Sequence, residues 1–338
     1  MTKVGVIGAS GFAGAELLRL AAAHPSLDVV FATGDSQAGT RVGDLYPHLH
    51  AAYPDLVFES YDPALVDGLD VVVLGLPHGV SGGIVPDLTD RVGTIVDLAA
   101  DFRLTDADVY ERWYGEVHPH PELLGTFAYG LPELYRDGLA GAKRVALPGC
   151  YPTTAALALA PLVRLGLIET TGIVVDAASG VSGAGRALKH GTQFCTVDED
   201  FTAYGLVSHR HTPEMEQAIG AQLLFTPHLA PMNRGILATC YARPTGPTST
   251  EALLEALAGF YADEPFVVVR EAPPSTKATF GSNTCHLSAR FDERTSTVIV
   301  LSALDNLVKG TSGQAIQVLN LLAGDDETLG LPLVGVAP

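Results

Sequence analysis

Residues 3–14 read KVGVIGASGFAG, a short apolar run that leads into a glycine-rich turn. Residues 3–7 are a short β-rich apolar run that stops at Gly8, and an amphipathic segment over residues 12–23 follows directly. This order predicts a strand, a glycine turn and a helix. The turn has the GxxGxxG form, in which small side chains let backbone N–H groups approach a pyrophosphate at the positive end of a helix. The residues expected to contact a dinucleotide are Gly8, Ser10, Gly11, Phe12, Ala13 and Gly14.

Three further apolar runs, each bounded by turn residues, follow this turn. They lie at residues 29–33, 70–76 and 94–98. Their rhythm is typical of a doubly wound parallel sheet, so we predict an α/β fold with an N-terminal Rossmann-like domain. A glycine turn can also serve only to pack a strand on a helix, but this context favours a binding site. Because ligands of such sheets bind beyond the carboxyl ends of the strands, residues 34–36, 76–79 and 100–103 are expected around one crevice.

The choice between the two nicotinamide dinucleotides depends on the residues after the second strand. Asp35 lies near the spacing of an acid that binds a ribose 2′-hydroxyl, which favours NAD. Ser36 and Arg41 could instead hold a 2′-phosphate. We predict NADP as the cofactor, with Ser36, Arg41 and Pro77 among its contacts.

A candidate nucleophile follows the next apolar run. Residues 148–154 read PGCYPTT, and an almost wholly apolar segment that is typical of a buried helix comes after them. This places Cys150 at a helix N-terminus, where unpaired N–H groups stabilise a thiolate, and Pro152 suits the first helical turn. The alternative is a buried structural cysteine. We expect that alternative to hold for Cys195, Cys240 and Cys285.

Two polar motifs lie beyond the cysteine. Residues 178–186 read ASGVSGAGR, which permits close backbone approach to a bound group but could also be only a tight loop. We predict cofactor contacts for Ser179 and Gly180 and substrate contacts for Ser182 and Arg186. Residues 209–214 read HRHTPE, and imidazoles can exchange protons near neutral pH while a guanidinium can clamp an acid. His209, Arg210 and His211 therefore suit an acyl-transfer site.

A metal is the rival interpretation of the two imidazoles. No acidic or cysteine ligand accompanies them at a suitable spacing, so we predict no metal.

The second half of the chain has β-branched segments separated by turns, with one helical segment at residues 250–261. It predicts an α+β domain with a mixed or antiparallel sheet, one face of which could bury against a second subunit. We expect a homo-oligomer, either a dimer or a tetramer. An apolar helix ending near Leu322 should return to the first domain, and Asn306 before it could bind the nicotinamide amide or only cap the helix. The predicted domains are residues 1–149 with 306–338, and 150–305.

Composition excludes several function classes. The 338 residues are 47% hydrophobic and carry a net charge of −18, so nucleic acid and anionic membranes would be repelled. Neither a signal peptide nor an apolar run of about 20 residues that could span a bilayer is found, so we expect a cytoplasmic protein that acts on a small molecule.

Taken together, these motifs resemble those of the N-acetyl-gamma-glutamyl-phosphate reductases, a family related to aspartate-semialdehyde dehydrogenase and similar in architecture to phosphorylating glyceraldehyde-phosphate dehydrogenase. The markers are the glycine turn, the DFR of residues 101–103, the cysteine motif, the SGAGR of residues 182–186, the HRHTPE motif and the DNLVKG of residues 305–310. The likeness covers essentially the whole chain.

The resemblance implies that NADPH reduces an acyl phosphate, N-acetyl-glutamyl 5-phosphate, to its semialdehyde in arginine biosynthesis. Cys150 would carry the acyl group, and His209 would be the acid–base group with His211 sharing that role or binding substrate. Arg103 would clamp a phosphate or carboxylate, with Arg186 and Arg210 as weaker candidates.

Three alternatives stay open. Aspartate-semialdehyde dehydrogenases usually carry Asn-Cys where this chain has Gly149-Cys150, which counts against that activity. Some members of the resembled family act on carrier-protein-linked glutamyl or aminoadipyl phosphates. A non-catalytic dinucleotide sensor would retain the sheet and the turn but could dispense with Cys150.

Overall fold

The computed structural model describes residues 1–337, and the chain divides into two compact units. The first unit comprises Met1–Pro148 and Thr311–Leu331. The second comprises Gly149–Gly310 and the residues from Pro332 onward.

A parallel sheet of seven strands forms the first unit. Its strands are β1 (Thr2–Ile7), β2 (Leu27–Thr33), β3 (Phe58–Glu59), β4 (Val71–Leu74), β5 (Thr94–Asp97), β6 (Ala128–Tyr129) and β7 (Arg144–Ala146). They lie in the order β3-β2-β1-β4-β5-β7-β6, and every pairing is parallel. The strand order reverses between β1 and β4, so the turn after β1 and the loop after β4 flank the position where such sheets bind ligands.

Helices connect these strands. They are α1 (Phe12–Ala22), α2 (Val42–Leu45), α3 (Ser81–Leu88), α4 (Ala107–Tyr114) and α5 (Pro132–Leu139), with 3₁₀ turns at Asp35–Gln37, Pro47–Leu49, Pro63–Val66 and Pro121–Leu123. The β4 strand is buried along its whole length, as expected for a central parallel strand covered on both faces.

A second, mixed sheet of seven strands forms the other unit. Its strands are β8 (Ile173–Gly180), β9 (Thr202–Ala203), β10 (Leu223–Ala230), β11 (Ile236–Ala242), β12 (Val267–Val269), β13 (Cys285–Asp292) and β14 (Thr297–Leu304), in the order β12-β13-β14-β11-β8-β10-β9. The β8–β10 and β12–β13 pairs are parallel and the other pairs are antiparallel. The predicted α/β class with a second mixed or antiparallel sheet is confirmed.

The helices of this unit include the one that carries the candidate nucleophile. They are α6 (Cys150–Arg164), α7 (Phe194–Val197), α8 (His211–Ile219), α9 (Thr250–Phe260) and α10 (Thr276–Thr279), with 3₁₀ turns at Val181–Ala184 and His190–Thr192 and a π-helical turn at Val308–Ser312. Helix α6 is buried at every position from Tyr151 to Leu162, and it contacts α8, α9, β11 and β14. Burial of this apolar surface holds the N-terminal end of α6 in place.

The last helix, α11 (Gly313–Ala323), belongs to the first unit and is buried from Gly313 to Asn320. The Ser312 hydroxyl donates to the Ala13 carbonyl oxygen at 2.7 Å, which ties the start of α11 to the first turn of α1. The chain therefore joins the first unit at Thr311, whereas the return predicted from the sequence is at residue 306. The difference has a physical reason: Asp305 Oδ2 accepts the backbone N–H of Gly281 and Asn306 Oδ1 accepts that of Gly235, and these bonds attach the turn to the second unit.

Within residues 1–337, none of the helices combines the length and the apolar character needed to cross a membrane.

Candidate active site

The predicted dinucleotide turn joins β1 to α1. Two hydrogen bonds attach this turn to Thr33, at the end of β2. The Thr33 hydroxyl accepts the Gly8 N–H at 3.1 Å, and the Thr33 carbonyl accepts the Ala9 N–H at 2.8 Å. Gly11 is the N-cap residue of α1, and no side chain caps the N–H groups of the first helical turn. Unpaired N–H groups at a helix N-terminus are donors for a pyrophosphate.

The three glycines of the turn have different physical roles. Gly8 has a φ of +82°, and a Cβ there would lie 2.5 Å from the Gly75 carbonyl oxygen. A Cβ at Gly14 would overlap the backbone of Ala9. At Gly11 the nearest atom would be 3.7 Å away, an ordinary contact. Gly8 and Gly14 are therefore required by the fold, whereas Gly11 leaves open space where a ligand could approach, which fits a dinucleotide.

The other predicted cofactor residues of this unit lie near the carboxyl ends of the strands. Ser36 is exposed in the 3₁₀ turn after β2, and the exposed Arg41 immediately precedes α2. Pro77 is exposed in the loop after β4. These positions are open to a ligand, and their contacts with a cofactor remain predictions.

A buried carboxylate holds the loop after β4 in place. Asp101 accepts the backbone N–H groups of Gly79 at 3.1 Å and Gly82 at 2.9 Å, and its Oδ2 lies 3.4 Å from His78 Nδ1. Burial opposes ionisation of Asp101, but these hydrogen bonds and His78 outweigh it and lower its pKa. The sequence predicted that both segments lie at one crevice, but not that a single carboxylate joins them.

Arg103 has a different environment from the one the sequence predicted. It is buried, its Nε donates to the Leu147 carbonyl at 2.7 Å, and one terminal nitrogen donates to the Leu98 carbonyl at 2.8 Å. These hydrogen bonds link the loop that follows β5 to the loop that follows β7. Arg103 thus uses at least part of its guanidinium on the backbone, and its predicted role as a substrate clamp stays untested.

In the second unit, Cys150 is the first residue of α6 and is partly exposed. Two neighbours fix its position. The buried Glu214 carboxylate of α8 accepts the Gly149 N–H at 2.8 Å. Gly310 approaches so closely that a Cβ there would lie 2.8 Å from Cys150 Cβ. A helix N-terminus next to a partly exposed sulfur is an environment that favours a nucleophilic thiolate.

The two histidines lie against the residue that follows the cysteine. The rings of His209 and His211 lie 5.8 and 6.0 Å from the Tyr151 ring, centroid to centroid, and 4.8 Å from each other. The Tyr204 hydroxyl donates to the Tyr151 hydroxyl at 3.3 Å, and the Tyr204 ring lies 5.5 Å from the His209 ring. Burial, with a smaller contribution from Tyr204, raises the pKa of Tyr151, so this phenol stays protonated. The structure therefore brings the predicted catalytic histidines together around Tyr151.

His209 is held as a neutral ring. Its Nδ1 accepts the backbone N–H of His211 at 3.1 Å, which places the ring proton on Nε2. Burial, assisted by the positive charge of Arg210, lowers the pKa of His209 to about 4. Near neutral pH this side chain is thus a hydrogen-bond donor and a weak base.

Several of the predicted binding residues serve the fold of the second unit. Asn306 Oδ1 accepts the Gly235 N–H at 2.7 Å, and its Nδ2 donates to the Ser182 hydroxyl at 2.9 Å. A Cβ at Gly180 would lie 2.7 Å from the backbone of Asn233. Ser179 is buried, and its hydroxyl donates to the Gly180 carbonyl at 3.1 Å. Arg186 is partly exposed and Arg210 is exposed, just before α8.

The other three cysteines differ among themselves. All are free thiols; Cys240 and Cys285 are buried, and burial raises the pKa of Cys240 to about 12. Cys195 is exposed, so the expectation that it is buried was wrong. The reason is that its helix, α7, lies in a surface segment whose apolar residues face outward.

Sequence reasoning missed three residues of this site. Tyr204 and Gly310 are far from Cys150 in sequence and belong to no motif that predicts a contact with it. Glu214 lies in the HRHTPE motif, but its role as acceptor for Gly149 depends on the packing of α8 against α6.

Comparison with known families assigns the class. Residues 3–142 match the family model described as semialdehyde dehydrogenase, NAD binding domain, and residues 150–306 match the semialdehyde dehydrogenase dimerisation domain. The chain thus has the two domains of a semialdehyde dehydrogenase, an oxidoreductase, and its first unit binds a nicotinamide dinucleotide.

The more specific family follows from full-length relatives. The N-acetyl-gamma-glutamyl-phosphate reductase of Symbiobacterium thermophilum is 48% identical over 97% of each chain, and that of Desulforudis audaxviator is 49% identical over 100% of each. This chain belongs to the N-acetyl-gamma-glutamyl-phosphate reductase family, as the motifs predicted.

Solved structures show the shared fold. An aspartate semialdehyde dehydrogenase II from Vibrio cholerae, 14% identical, has a TM-score of 0.72 over 96% of this chain and 99% of its own. The aspartate semialdehyde dehydrogenase with NADP from Candida albicans, 16% identical, has a TM-score of 0.66 over 96% of this chain and 98% of its own.

Proposed function

We propose that this protein reduces N-acetyl-L-glutamyl 5-phosphate to N-acetyl-L-glutamate 5-semialdehyde and phosphate, using NADPH, as a step of L-arginine biosynthesis. The observation that carries the proposal is the position of Cys150, at the partly exposed start of a buried helix and next to the cluster of Tyr151, His209 and His211. Full-length relatives named for this activity support the choice of substrate.

Cys150 acts as the nucleophile. Its thiolate attacks the acyl carbon, a C–S bond forms, and the bond from that carbon to the phosphate oxygen breaks. The positive end of α6 stabilises the thiolate before attack, and Glu214 and Gly310 hold the sulfur in position. The product of this step is a thioester on Cys150 and free phosphate.

Reduction of the thioester needs a hydride donor and stabilisation of the resulting oxyanion. Bound NADPH supplies the hydride. The neutral Nε2–H of His209 donates a hydrogen bond to the oxygen on which negative charge develops, and His211 exchanges protons with that oxygen. Collapse of the thiohemiacetal breaks the C–S bond, which releases the aldehyde and restores the thiolate.

Substrate and cofactor contacts follow from chemistry. Arg186 and Arg210 suit the carboxylate and phosphate of the substrate because they lie in the same unit as Cys150 and a guanidinium binds such groups in bidentate fashion. Ser182 can add a hydroxyl contact. The N–H groups of the glycine turn would hold the pyrophosphate, and Ser36 and Arg41 would bind the 2′-phosphate that distinguishes NADP from NAD.

The protein acts as a homo-oligomer, as a dimer or a tetramer. The helices contact one face of the second sheet, and apolar side chains on its strands, including Leu224 and Tyr241, are exposed. Exposed apolar surface of this kind is typical of a subunit interface.

Replacement of the sulfur tests the mechanism. Cys150→Ala should lower phosphate-dependent oxidation of N-acetylglutamate 5-semialdehyde at least about a thousandfold, because covalent catalysis needs the thiolate. NADP binding, measured by fluorescence titration, should persist. Cys195→Ala is the matched control and should retain the parent rate. Unchanged turnover in Cys150→Ala would refute the mechanism.

Two further measurements test the chemistry and the substrate. With acyl phosphate and no NADPH, mass spectrometry should find an acyl adduct on the peptide that contains Cys150. Turnover with aspartate semialdehyde but none with N-acetylglutamate 5-semialdehyde would overturn the proposed substrate.

A further inference from the structure

Two tyrosine hydroxyls form a hydrogen-bond chain that links the helix of the nucleophile to the segment after β9. The Tyr204 hydroxyl donates to the Tyr151 hydroxyl at 3.3 Å, and the Tyr151 hydroxyl donates to the His228 carbonyl oxygen of β10 at 3.1 Å. A carbonyl oxygen can only accept, so Tyr151 gives its single proton to His228 and accepts from Tyr204. The direction of both hydrogen bonds is therefore fixed.

Both phenols of this chain stay protonated near neutral pH. Burial, with a smaller contribution from the negative charge of Cys150, raises the pKa of Tyr204 to about 12. Burial also raises the pKa of Tyr151, and the charge of Cys150 adds to that effect. Because the interaction between charges weakens with distance, both hydroxyls lie in the neighbourhood of the sulfur. The hydrogen-bond chain is thus intact where the nucleophile acts.

Three rings of tyrosine or phenylalanine pack edge-to-face around His209. The centroid of the imidazole lies 5.2 Å from that of Phe225, 5.5 Å from that of Tyr204 and 5.8 Å from that of Tyr151, at interplanar angles of 90°, 65° and 89°. Edge-to-face contacts constrain the relative orientation of two rings as well as their separation. These three rings therefore determine the direction in which His209 Nε2 points.

Of these three rings, that of Tyr204 has the least support from the fold. Phe225 lies within β10 and Tyr151 within α6, and both are buried. Tyr204 follows the two-residue edge strand β9 and is 38% exposed. Its backbone N–H donates to the Pro227 carbonyl at 3.1 Å, which fixes the main chain but not the ring. The hydroxyl bond to Tyr151 is what directs the ring into the second unit.

A strained turn brings Tyr204 against His209. Gly205 has a φ of 56°, and Val207 has a φ of 53°, a region that β-branched residues rarely adopt. A Cβ at Gly205 would lie 3.2 Å from His209 Cδ2, so the turn itself also packs against the imidazole. Strain of this kind persists only where surrounding contacts stabilise it, and it clusters at functional sites.

We propose that Tyr204 is a positioning residue: its hydroxyl bond to Tyr151 fixes the ring of His209 beside the nucleophile. Tyr151 directly follows Cys150 in α6, and Tyr204 contacts His209, so the tyrosine pair connects the two groups that act on the acyl carbon. This inference rests on the proposed function and deepens it, because it assigns the geometry of the reacting groups to a hydroxyl that does not itself react.

The first experiment removes one hydroxyl from the full-length protein. Tyr204→Phe should lower kcat about tenfold, because a misplaced imidazole stabilises the oxyanion less well. The KM of the acyl substrate should stay within about twofold, because the ring that remains still fills its place. NADP binding should be unchanged in a fluorescence titration.

Tyr261→Phe is the matched control. The Tyr261 hydroxyl donates to the Leu157 carbonyl of α6 at 2.8 Å, so this change also removes a buried hydroxyl bond to the same helix. It should keep the kcat of the parent even if the protein becomes less stable. Full kcat in Tyr204→Phe, or an equal loss in both variants, would overturn the inference.

A second experiment measures the imidazole directly. In the parent, burial lowers the pKa of His209 to about 4, and Tyr204→Ala should raise it toward the ordinary 6.5 because water reaches the ring. The titratable groups in contact with this ring are Tyr151, Tyr204 and His211, and Arg210 adds a positive charge that the substitution leaves in place. Nuclear magnetic resonance of ¹³C-labelled histidine gives the titration, with His209→Asn to assign the signal. A pKa equal to that of the parent would refute the positioning role.

The third experiment tests whether the two hydroxyls act as one chain. Tyr151→Phe and Tyr204→Phe each break the chain, so the double variant should turn over about as slowly as the slower single variant. Reductions of kcat that multiply in the double variant would show that the hydroxyls act separately, which contradicts the proposal.

Failure of this inference differs from failure of the proposed function. If the acyl phosphate is not the substrate, the parent itself does not turn over and no acyl adduct forms on Cys150. If only the inference fails, the parent is active and forms the adduct, and Tyr204→Phe matches it in kcat.

Discussion

Gly310 occupies a position where any side chain would displace the nucleophile. A Cβ there would lie 2.8 Å from Cys150 Cβ and 3.3 Å from its Cα, closer than side-chain atoms normally approach. The backbone of the π-helical turn can come this near only because residue 310 has no side chain. The position of the sulfur thus depends on a residue of a distant segment.

Gly310→Ala should therefore shift Cys150 and lower kcat/KM by about 10- to 100-fold, since small misplacements of a reacting group have effects of this size. Steady-state kinetics and dinucleotide titration would measure the rate and the binding separately, and binding should be unchanged. Gly259→Ala, in α9 with no atom within 4 Å of the added carbon, is the control. It should keep full activity and gain about 0.5–1 kcal/mol of stability. Equal activity of the two variants would contradict this role of Gly310.

His209 should make stability depend on pH in the acidic range. Its pKa falls from an ordinary 6.5 to about 4 in the folded protein because burial disfavours the charged ring. Between those values the unfolded chain binds a proton that the folded chain does not, so stability is fully present above about pH 6.5 and decreases as the pH falls toward 4. Urea unfolding from pH 8 to pH 4 should show a shallower decrease for His209→Asn. The exposed His48→Asn should keep the parent's slope, and an unchanged slope in His209→Asn would count against the burial of this ring.

At the scale of elements, folding and cofactor binding depend on different glycines of the turn between β1 and α1. Gly14→Ala should destabilise the protein by about 1–3 kcal/mol, because the added carbon overlaps the backbone of Ala9. Gly11→Ala meets only an ordinary contact, so its free energy of unfolding should stay within about 0.5 kcal/mol of the parent. It should nevertheless weaken NADP binding about tenfold or more, because the methyl group would occupy space needed by the pyrophosphate. Denaturant melts and fluorescence titration of both variants test this, and tight binding by Gly11→Ala would contradict it.

The same turn illustrates what the sequence could predict. The strand, turn and helix of residues 3–23 follow from local periodicity and glycine spacing, and the structure forms them as β1 and α1. The helix N-terminus at Cys150 followed from the apolar segment and Pro152 for the same reason. Local signals of this kind do not require knowledge of distant contacts.

Features that depend on long-range packing could not be predicted. Nothing in the sequence indicates that Gly310 contacts Cys150 or that Tyr204 bonds to Tyr151, because these residues are brought together only when the second unit folds. Asn306 and Arg103 have side chains suited to ligands, yet the structure gives each of them backbone partners. The type of a polar residue therefore does not show whether its side chain binds a ligand or forms a buried structural hydrogen bond.

At the scale of the whole molecule, α11 completes the first unit although it lies far along the chain. Its side chains Ile316, Val318 and Leu319 are buried, and burial of each contributes about 1.5–3 kcal/mol. Their sum is comparable to the total stability of an ordinary domain. The polypeptide of residues 1–148 should therefore lack a cooperative thermal transition. Joining it to residues 311–331 by a flexible linker of about ten residues should restore the transition, and a cooperative melt of residues 1–148 alone would contradict this role of α11.

The outermost strands of both sheets are very short. β3 and β6 at the edges of the first sheet have two residues each, and β9 and β12 at the edges of the second have two and three. A long unpaired edge is a template on which other polypeptides add strands and form aggregates, and a very short edge offers few such hydrogen bonds. Although 47% of its residues are hydrophobic, the protein is thereby protected against edge-to-edge polymerisation at high concentration.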